Sequence, residues 1–338
     1  MEYPYRNLVL SGGGILGIAY IGMLDYLYRI ELIKDIKRIA GSSAGAIAAC
    51  ITSFDLPFEE MRAITESLDY SKIPLNSNST ESFYFTKSEK VQLDKIFENA
   101  ECVYRLVKKY GWYSSGYFYD WIRDQIHAQF DPRKKKPPYT FEDFRNPAIH
   151  KNEHEFKELY IVGTDVAANG SIVFSAKDTP YFEVAEAVRI SMSVPLFFEA
   201  VKTDQPIGDD RKQPRIYADG GIMYRYPITL FDKECPENQT VGALLTGKNQ
   251  DQDREINNLL DYIRNLISCA EAVQTEFSYS DPENMKRTIQ ILTGKISSLN
   301  FDIKKGDAAY TYLYEQGYKA AEKYFSAVFS SWPVFVFA

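Results

Sequence analysis

The chain has 338 residues, 45% of them hydrophobic, which is enough to fill the core of one large α/β domain or of two small ones. Its formal net charge of −7 argues against a nucleic-acid-binding surface. Cys50, Cys102, Cys235 and Cys269 are scattered without a C-x-x-C pair, and with only three histidines the composition argues against a zinc site and for a reduced, intracellular chain.

No signal peptide precedes the first predicted strand. No apolar stretch reaches the roughly 20 residues a membrane helix needs. The expectation is therefore a cytoplasmic protein, with the oily end Trp332–Ala338 read as a buried final strand or tail.

Asn7–Leu10 is predicted as a buried strand, followed by Ser11-Gly12-Gly13-Gly14-Ile15-Leu16-Gly17 and a helix over Ile18–Ile30 that is apolar on nearly every face. Strand, glycine loop and helix make one half of a parallel α/β unit. The loop has two readings. Gly12-x-Gly14-x-x-Gly17 matches a dinucleotide fingerprint, but that requires an acidic residue at the end of the second strand, where this chain has Gly41-Ser42-Ser43. Alternatively, the glycine N–H groups are donors for an oxygen that becomes negative when a carbonyl is attacked. Adjacent parallel strands would set this loop beside Ser43, which favours the second reading.

Ile36–Ala40 is predicted as the second strand, and Ala46–Ile51 as a small-residue helix. Between them, Gly41-Ser42-Ser43-Ala44-Gly45 has the strand–turn–helix setting of a nucleophile elbow. Glycines at both ends permit a sharp turn, so the central Ser43 points outward while the helix start favours a negative oxygen beside it. Taken alone, the pentapeptide also fits a tight turn with a serine N-cap.

Residues 52–130 read as mainly helical and aromatic, with Phe83-Tyr84-Phe85, Trp112-Tyr113 and Tyr117–Trp121 as landmarks. These rings suit core packing; they also suit a cap lining an acyl-chain pocket or touching a bilayer, hinged at Gly111–Gly116. The basic loop Asp131–Pro138 is either simply solvated or attracts anionic headgroups. A buried strand follows at Leu159–Thr164, and Asn169-Gly170 turns the chain into Ser171–Phe174, leaving Asp165 as a turn-former. An amphipathic helix over Phe182–Ile190 ends in Ser191-Met192-Ser193-Val194-Pro195, because proline forbids its continuation.

Arg215–Ala218 is a further strand, leading directly into Asp219-Gly220-Gly221. Asp-Gly is a turn signal, yet a carboxylate at a strand end is also where a parallel sheet puts its chemistry. Val241–Leu245 is predicted as the last central strand, with helices over 255–280 and 306–326 around a short strand at Arg287–Thr293.

A nucleophilic serine needs a proton acceptor. The histidines are His127, His150 and His154, none after Asp219, and the elbow follows only one earlier strand. Both facts argue against the serine–acid–histidine order of α/β-hydrolases. Asp219 is then the best base, provided that burial raises its basicity.

Taken together, Gly12–Gly17, Gly41-Ser42-Ser43-Ala44-Gly45 and Asp219-Gly220-Gly221 resemble the signature of the patatin-like phospholipases. Gly163-Thr164-Asp165, Ser191–Pro195 with Phe197, and Asn300-Phe301-Asp302 extend the resemblance over roughly residues 6 to 325. It implies a three-layer α/β/α fold with a mostly parallel central sheet, a single domain spanning 1–338, and an aromatic-rich helical cap at about 55–130. It also implies a lipid acyl hydrolase of the phospholipase A type, with Ser43 as nucleophile, Asp219 as base and Gly12, Gly13 and Gly14 as the oxyanion loop. Gly17, Gly41, Gly45, Gly220 and Gly221 support those motifs. The scheme needs no metal or other cofactor. Its partners are a phospholipid or acylglycerol, with peripheral membrane contact and an activating partner left open and nucleic acid excluded. Many members carry Arg or Lys where this chain has Leu16, which opens the headgroup preference and keeps neutral-lipid or general carboxylesterase activity as an alternative. A non-catalytic lipid-binding protein of the same fold is the other alternative.

Overall fold

A computed structural model of the chain describes residues 3–74, 100–203, 215–247 and 255–330. The strands are β1 (Asn7–Leu10), β2 (Arg38–Ser42), β3 (Gly111–Tyr113), β4 (Glu158–Asp165), β5 (Gly170–Ser175), β6 (Leu196–Phe198), β7 (Val201–Thr203), β8 (Arg215–Asp219), β9 (Thr240–Thr246) and β10 (Thr288–Leu292). The helices are α1 (Ile18–Arg29), α2 (Ala44–Ser53), α3 (Phe58–Glu66), α4 (Ala100–Lys109), α5 (Gly116–His127), α6 (Phe141–Phe144), α7 (Val184–Ser191), α8 (Gly221–Tyr224), α9 (Leu259–Tyr279), α10 (Pro282–Lys286) and α11 (Ala308–Ser330). Predicted and observed elements agree closely from the first strand through the elbow and again at the C-terminal helices.

The central sheet runs β10-β9-β1-β2-β4-β8-β7, with β5 along β4. Its pairs from β10 to β4 are parallel, and β5, β8 and β7 are antiparallel additions, so the fold is α/β with a mostly parallel sheet. Interior parallel strands bury both faces, and alternation along each strand divides the side chains accordingly. Leu8, Leu10, Ile39, Ile161 and Ala243 enter the larger core with α1 and α2. Val9, Ala40, Tyr160 and Leu244 point the other way, onto Tyr226, Ile228 and Phe231.

The course of β4 positions the site. β5 covers one edge over Tyr160–Asp165. On the other edge β2 pairs with residues up to Val162, and β8 takes over at Gly163. The last residue of β2, Ser42, is opposite Val162, and the last residue of β8, Asp219, is opposite Gly163. Two strands thus meet end to end at adjacent residues of β4, and both chains leave the sheet there. Asp219 therefore arrives on an antiparallel strand, not the parallel one its setting suggested.

Other expectations change in tertiary context. Gly111–Gly116 is no hinge: Gly111–Tyr113 is β3, paired with β6, and a Cβ on Gly111 would lie 2.0 Å from the Phe198 carbonyl oxygen. Phe118 and Trp121 are core residues, and the Tyr119 hydroxyl donates to Glu183 at 3.0 Å. Phe83-Tyr84-Phe85 lies outside the described residues. The basic loop is largely neutralised locally, with Arg133 on Asp131, Lys134 on Glu153 and Lys135 on Asp143. Asp165 is buried, accepts from the Ala168 N–H at 3.0 Å and pairs with Arg215.

Candidate active site

Ser43 has φ 52° and ψ −121°, a backbone conformation that side-chain-bearing residues rarely adopt. Surrounding packing enforces it. A Cβ on Gly41 would lie 2.1 Å from the Gly45 carbonyl oxygen, and one on Gly45 would lie 2.3 Å from that of Leu10. Only hydrogen at both positions lets α2 spring so tightly from β2. Ser43 occupies the N-cap position of α2, but its side chain makes no capping hydrogen bond. The plain N-cap reading therefore fails. Ser42 is fully buried, with its Oγ turned toward Gly220, whereas Ser43 lines a cavity.

The glycine loop packs against this elbow. Gly12 faces Ser43 with room for a Cβ only at 3.2 Å, and Gly17 faces Ala44 at 3.0 Å. Gly13 abuts Leu245, while Gly14, at φ +55°, would put a Cβ 2.1 Å from the Ser298 carbonyl oxygen. These contacts account for the glycines without a nucleotide. The Gly12 N–H donates to the Arg225 carbonyl at 2.9 Å, so its donor is already engaged. The N–H groups of Gly13 and Gly14 have no acceptor among the described residues. Of the three expected loop donors, two remain available for an incoming oxygen.

Asp219 is buried, and its Oδ1 accepts from the Gly221 N–H at 2.6 Å. Its Oδ2 is buried with no aligned hydrogen bond among the described residues. Burial pushes the carboxyl up from 3.8 to about 7; the Ser43 hydroxyl, the Gly221 N–H and Arg225 work against that rise, and Glu271 adds to it. The Ser43 hydroxyl thus bears on the carboxylate without forming an aligned bond, as is common before a substrate tightens such a pair. Gly220 is a packing glycine, its Cβ position 2.2 Å from the Val162 carbonyl oxygen.

One residue absent from the sequence-based set ties the parts together. Ser191 Oγ accepts from the Ser43 N–H at 2.8 Å and donates to the Val162 carbonyl at 2.6 Å. Its carbonyl also accepts from the Gly220 N–H at 3.3 Å, and the Asp219 N–H donates to the Ser193 carbonyl at 2.9 Å. The Ser191-Met192-Ser193 segment is in this way a clip between the elbow and the aspartate loop. The sequence marked this segment by its abrupt helix end and by its place in the family resemblance, without a role for Ser191. Arg225 is the second such residue. It is buried, its Nη1 donates to Thr275 Oγ1 at 2.6 Å, and its Nη2 donates to the Leu245 carbonyl at 3.3 Å.

Ser43, Asp219, Gly12, Gly13, Gly14 and Gly221 line one cavity of about 240 Å³. Its remaining wall is nearly all apolar and includes Ile47, Met192, Phe198, Leu266 and Phe301. From the expected cap region only Tyr70 and Ile73 contribute among the described residues. A buried, proton-accepting carboxylate beside a strained serine, with unclaimed N–H groups and an oily wall, can support acyl transfer from an apolar ester.

Residues 8–232 match the family described as patatin-like phospholipase. An uncharacterized protein of Acanthamoeba polyphaga mimivirus, R571, is 28% identical over 335 residues, covering 95% of this chain and 94% of that one. A probable lipid hydrolase of Invertebrate iridescent virus 6, 463L, is 22% identical over 230 residues, covering 68% and 64%. The crystal structure of VipD from Legionella pneumophila superposes with a TM-score of 0.58 at 18% identity, covering 96% of this chain and 67% of that one.

Proposed function

The chain belongs to the patatin-like phospholipase family, a family of lipid hydrolases, and on that premise we propose that it cleaves acyl esters of phospholipids with Ser43 as nucleophile and Asp219 as base. One observation carries the reading: the Asp219 carboxyl, held near neutrality by burial, shares the floor of an apolar cavity with Ser43 at its elbow. A base is most effective when its pKa lies near the working pH.

Asp219 takes the Ser43 proton as Oγ attacks the ester carbonyl. The Gly13 and Gly14 N–H groups, with the start of α2 behind Ser43, hold the negative oxygen of the tetrahedral intermediate. Collapse expels the alcohol, which leaves with the proton held by Asp219, and an acyl-Ser43 ester remains. Asp219, again ionised, takes a proton from water; the hydroxide attacks the acyl carbon, and Ser43 recovers its proton as the fatty acid departs. The acyl chain occupies the apolar wall around Met192, Phe198 and Phe301.

The test is fatty-acid release from phosphatidylcholine vesicles, and turnover of a soluble short-chain nitrophenyl ester, by the wild type, Ser43→Ala and Asp219→Asn. The proposal expects wild-type release from vesicles and loss in both variants by about a thousandfold or more. Turnover of the soluble ester with none from phosphatidylcholine would move the assignment to a general carboxylesterase. Wild-type activity that survives in Ser43→Ala would refute it.

A further inference from the structure

Helix α9 has two apolar faces: Leu260, Ile263 and Ile267 pack toward the core, and a second stripe faces outward. At 100° per residue, Leu259, Tyr262, Leu266, Val273 and Phe277 fall within an arc of about 60°. All five are exposed, Val273 at 65% and Phe277 at 76%. Polar contacts lie off this stripe, on the flank and the opposite side. Thr275 Oγ1 accepts from Arg225, the Gln274 Nε2 donates to the Ile222 carbonyl at 3.0 Å, and Glu271 Oε2 accepts from Ser298 Oγ at 2.9 Å. Ile263 is the one buried side chain on this helix. A soluble helix normally turns such an apolar stripe inward, and an exposed stripe of this length, about 27 Å from Leu259 to Phe277, marks an interaction surface.

The stripe is continuous with the mouth of the candidate active site. Leu266 is 47% exposed and also lines the cavity; Ile222 of α8 and Leu196 of β6 do the same, at 37% and 38%. Met223, next to Ile222, is exposed as well. Apolar surface outside is therefore joined to apolar surface inside through Leu266, Ile222 and Leu196. Among the described residues, no helix is long and apolar enough to cross a membrane, so α9 suits lying in an interface, not spanning it.

We infer that α9, with Ile222, Met223 and Leu196 at its flank, is the face by which this protein seats on a lipid surface and aligns its cavity mouth with the acyl layer. The inference rests on the proposed lipid substrate, because acyl chains of phospholipids are held in aggregates, and a chain entering the cavity from a bilayer passes along this stripe without crossing water. The occupant is the lipid surface itself. Recognition is by apolar insertion; the basic loop around Lys134, bound to its own acids, has no part in it.

The test separates docking from chemistry by using the Ser43→Ala protein throughout. Its flotation with phosphatidylcholine vesicles is compared with that of the same protein carrying Val273→Asp and Phe277→Asp. A control carries Val107→Asp and Tyr181→Asp, exposed apolar residues elsewhere on the molecule. The expected result is a loss of vesicle binding of at least about tenfold for the α9 pair and none for the control pair, with both proteins keeping the parent melting temperature and near-ultraviolet circular dichroism. Equal losses in both pairs, or none in either, overturn the proposal. A dimer that the α9 pair dissociates, with no vesicle binding by the parent, also overturns it in favour of a second copy on this face. Wild-type activity on the soluble ester identifies which reading has failed. Hydrolysis without vesicle binding sinks the docking face alone, whereas α9-dependent binding with an inert wild type upholds docking and sinks the hydrolase.

Discussion

Replacing Asp219 by Asn should make this protein more stable while removing its activity. In the folded chain the carboxyl is buried and its pKa stands near 7, against 3.8 ordinarily. Between those values the native state holds a proton that the unfolded state has released, so stability falls as pH rises from about 4 to about 7. At about 1.36 kcal/mol per pH unit, the full cost of keeping the ionised carboxylate buried is about 4 kcal/mol above neutrality. Asn is nearly isosteric and keeps an oxygen for the Gly221 N–H, and the attraction of Arg225 is already contained in the raised pKa; allowing for an imperfect fit of the amide, a net gain of about 2–4 kcal/mol remains. For 338 residues the unfolding entropy is about 0.7 kcal/mol/K, which turns that gain into a rise in melting temperature of about 3–6 °C. The assay is urea or thermal unfolding of wild type and Asp219→Asn at a series of pH values. The sign is specific: the gap opens with rising pH, about 2.5 kcal/mol of it between pH 5 and 8. An offset equal at both pH values, or a variant less stable than wild type at pH 8, would refute the claim that the site holds a buried, destabilised carboxylate.

Four further outcomes follow from the same geometry. Turnover of a soluble ester should rise with pH and level off above about 7, because Asp219 acts only when ionised; a profile flat from pH 5 to 8 would exclude it as the base. Ser191→Ala removes the acceptor of the Ser43 N–H and the donor to Val162, so it should lower stability by about 1–3 kcal/mol and kcat by about tenfold or more, with KM little changed. Unchanged kcat in that variant would show that the clip does not shape the elbow. Gly14→Ala puts a Cβ 2.1 Å from a backbone carbonyl at positive φ and should abolish activity with a lower melting temperature, whereas Gly170→Ala, with nothing nearer than 3.9 Å, should change turnover less than twofold. Chelation with EDTA should leave the turnover of purified protein unaltered, and a strict calcium requirement would sink the metal-free scheme.

Much of the candidate site is legible in the chain because it depends on neighbours in sequence. Strand β1 into the glycine loop, and β2 through Gly41 and Gly45 into α2, are local statements: hydrophobic runs make strands, and a turn that leaves no room for Cβ demands glycine. Absence of a histidine beyond Asp219 is likewise a fact of the chain, and it narrowed the choice of base before any geometry was known.

Tertiary structure decided what depends on residues distant in sequence. That β8 is antiparallel, and shares one edge of β4 with β2, follows from pairings across more than fifty residues; local pattern carries no record of them. Only that arrangement brings Asp219 end to end with the elbow. The pKa of Asp219 is set by burial under several elements, and burial of one carboxyl is a property of the packed molecule. Gly12 looked equivalent to Gly13 and Gly14 until the Arg225 carbonyl claimed its N–H. Helix α9 shows the division most plainly. Its apolar residues can be read from the sequence, but periodicity gives only the angle between them; Leu260, Ile263 and Ile267 face the core, and Glu271, Gln274 and Thr275 find partners around the site, which leaves the other stripe outside.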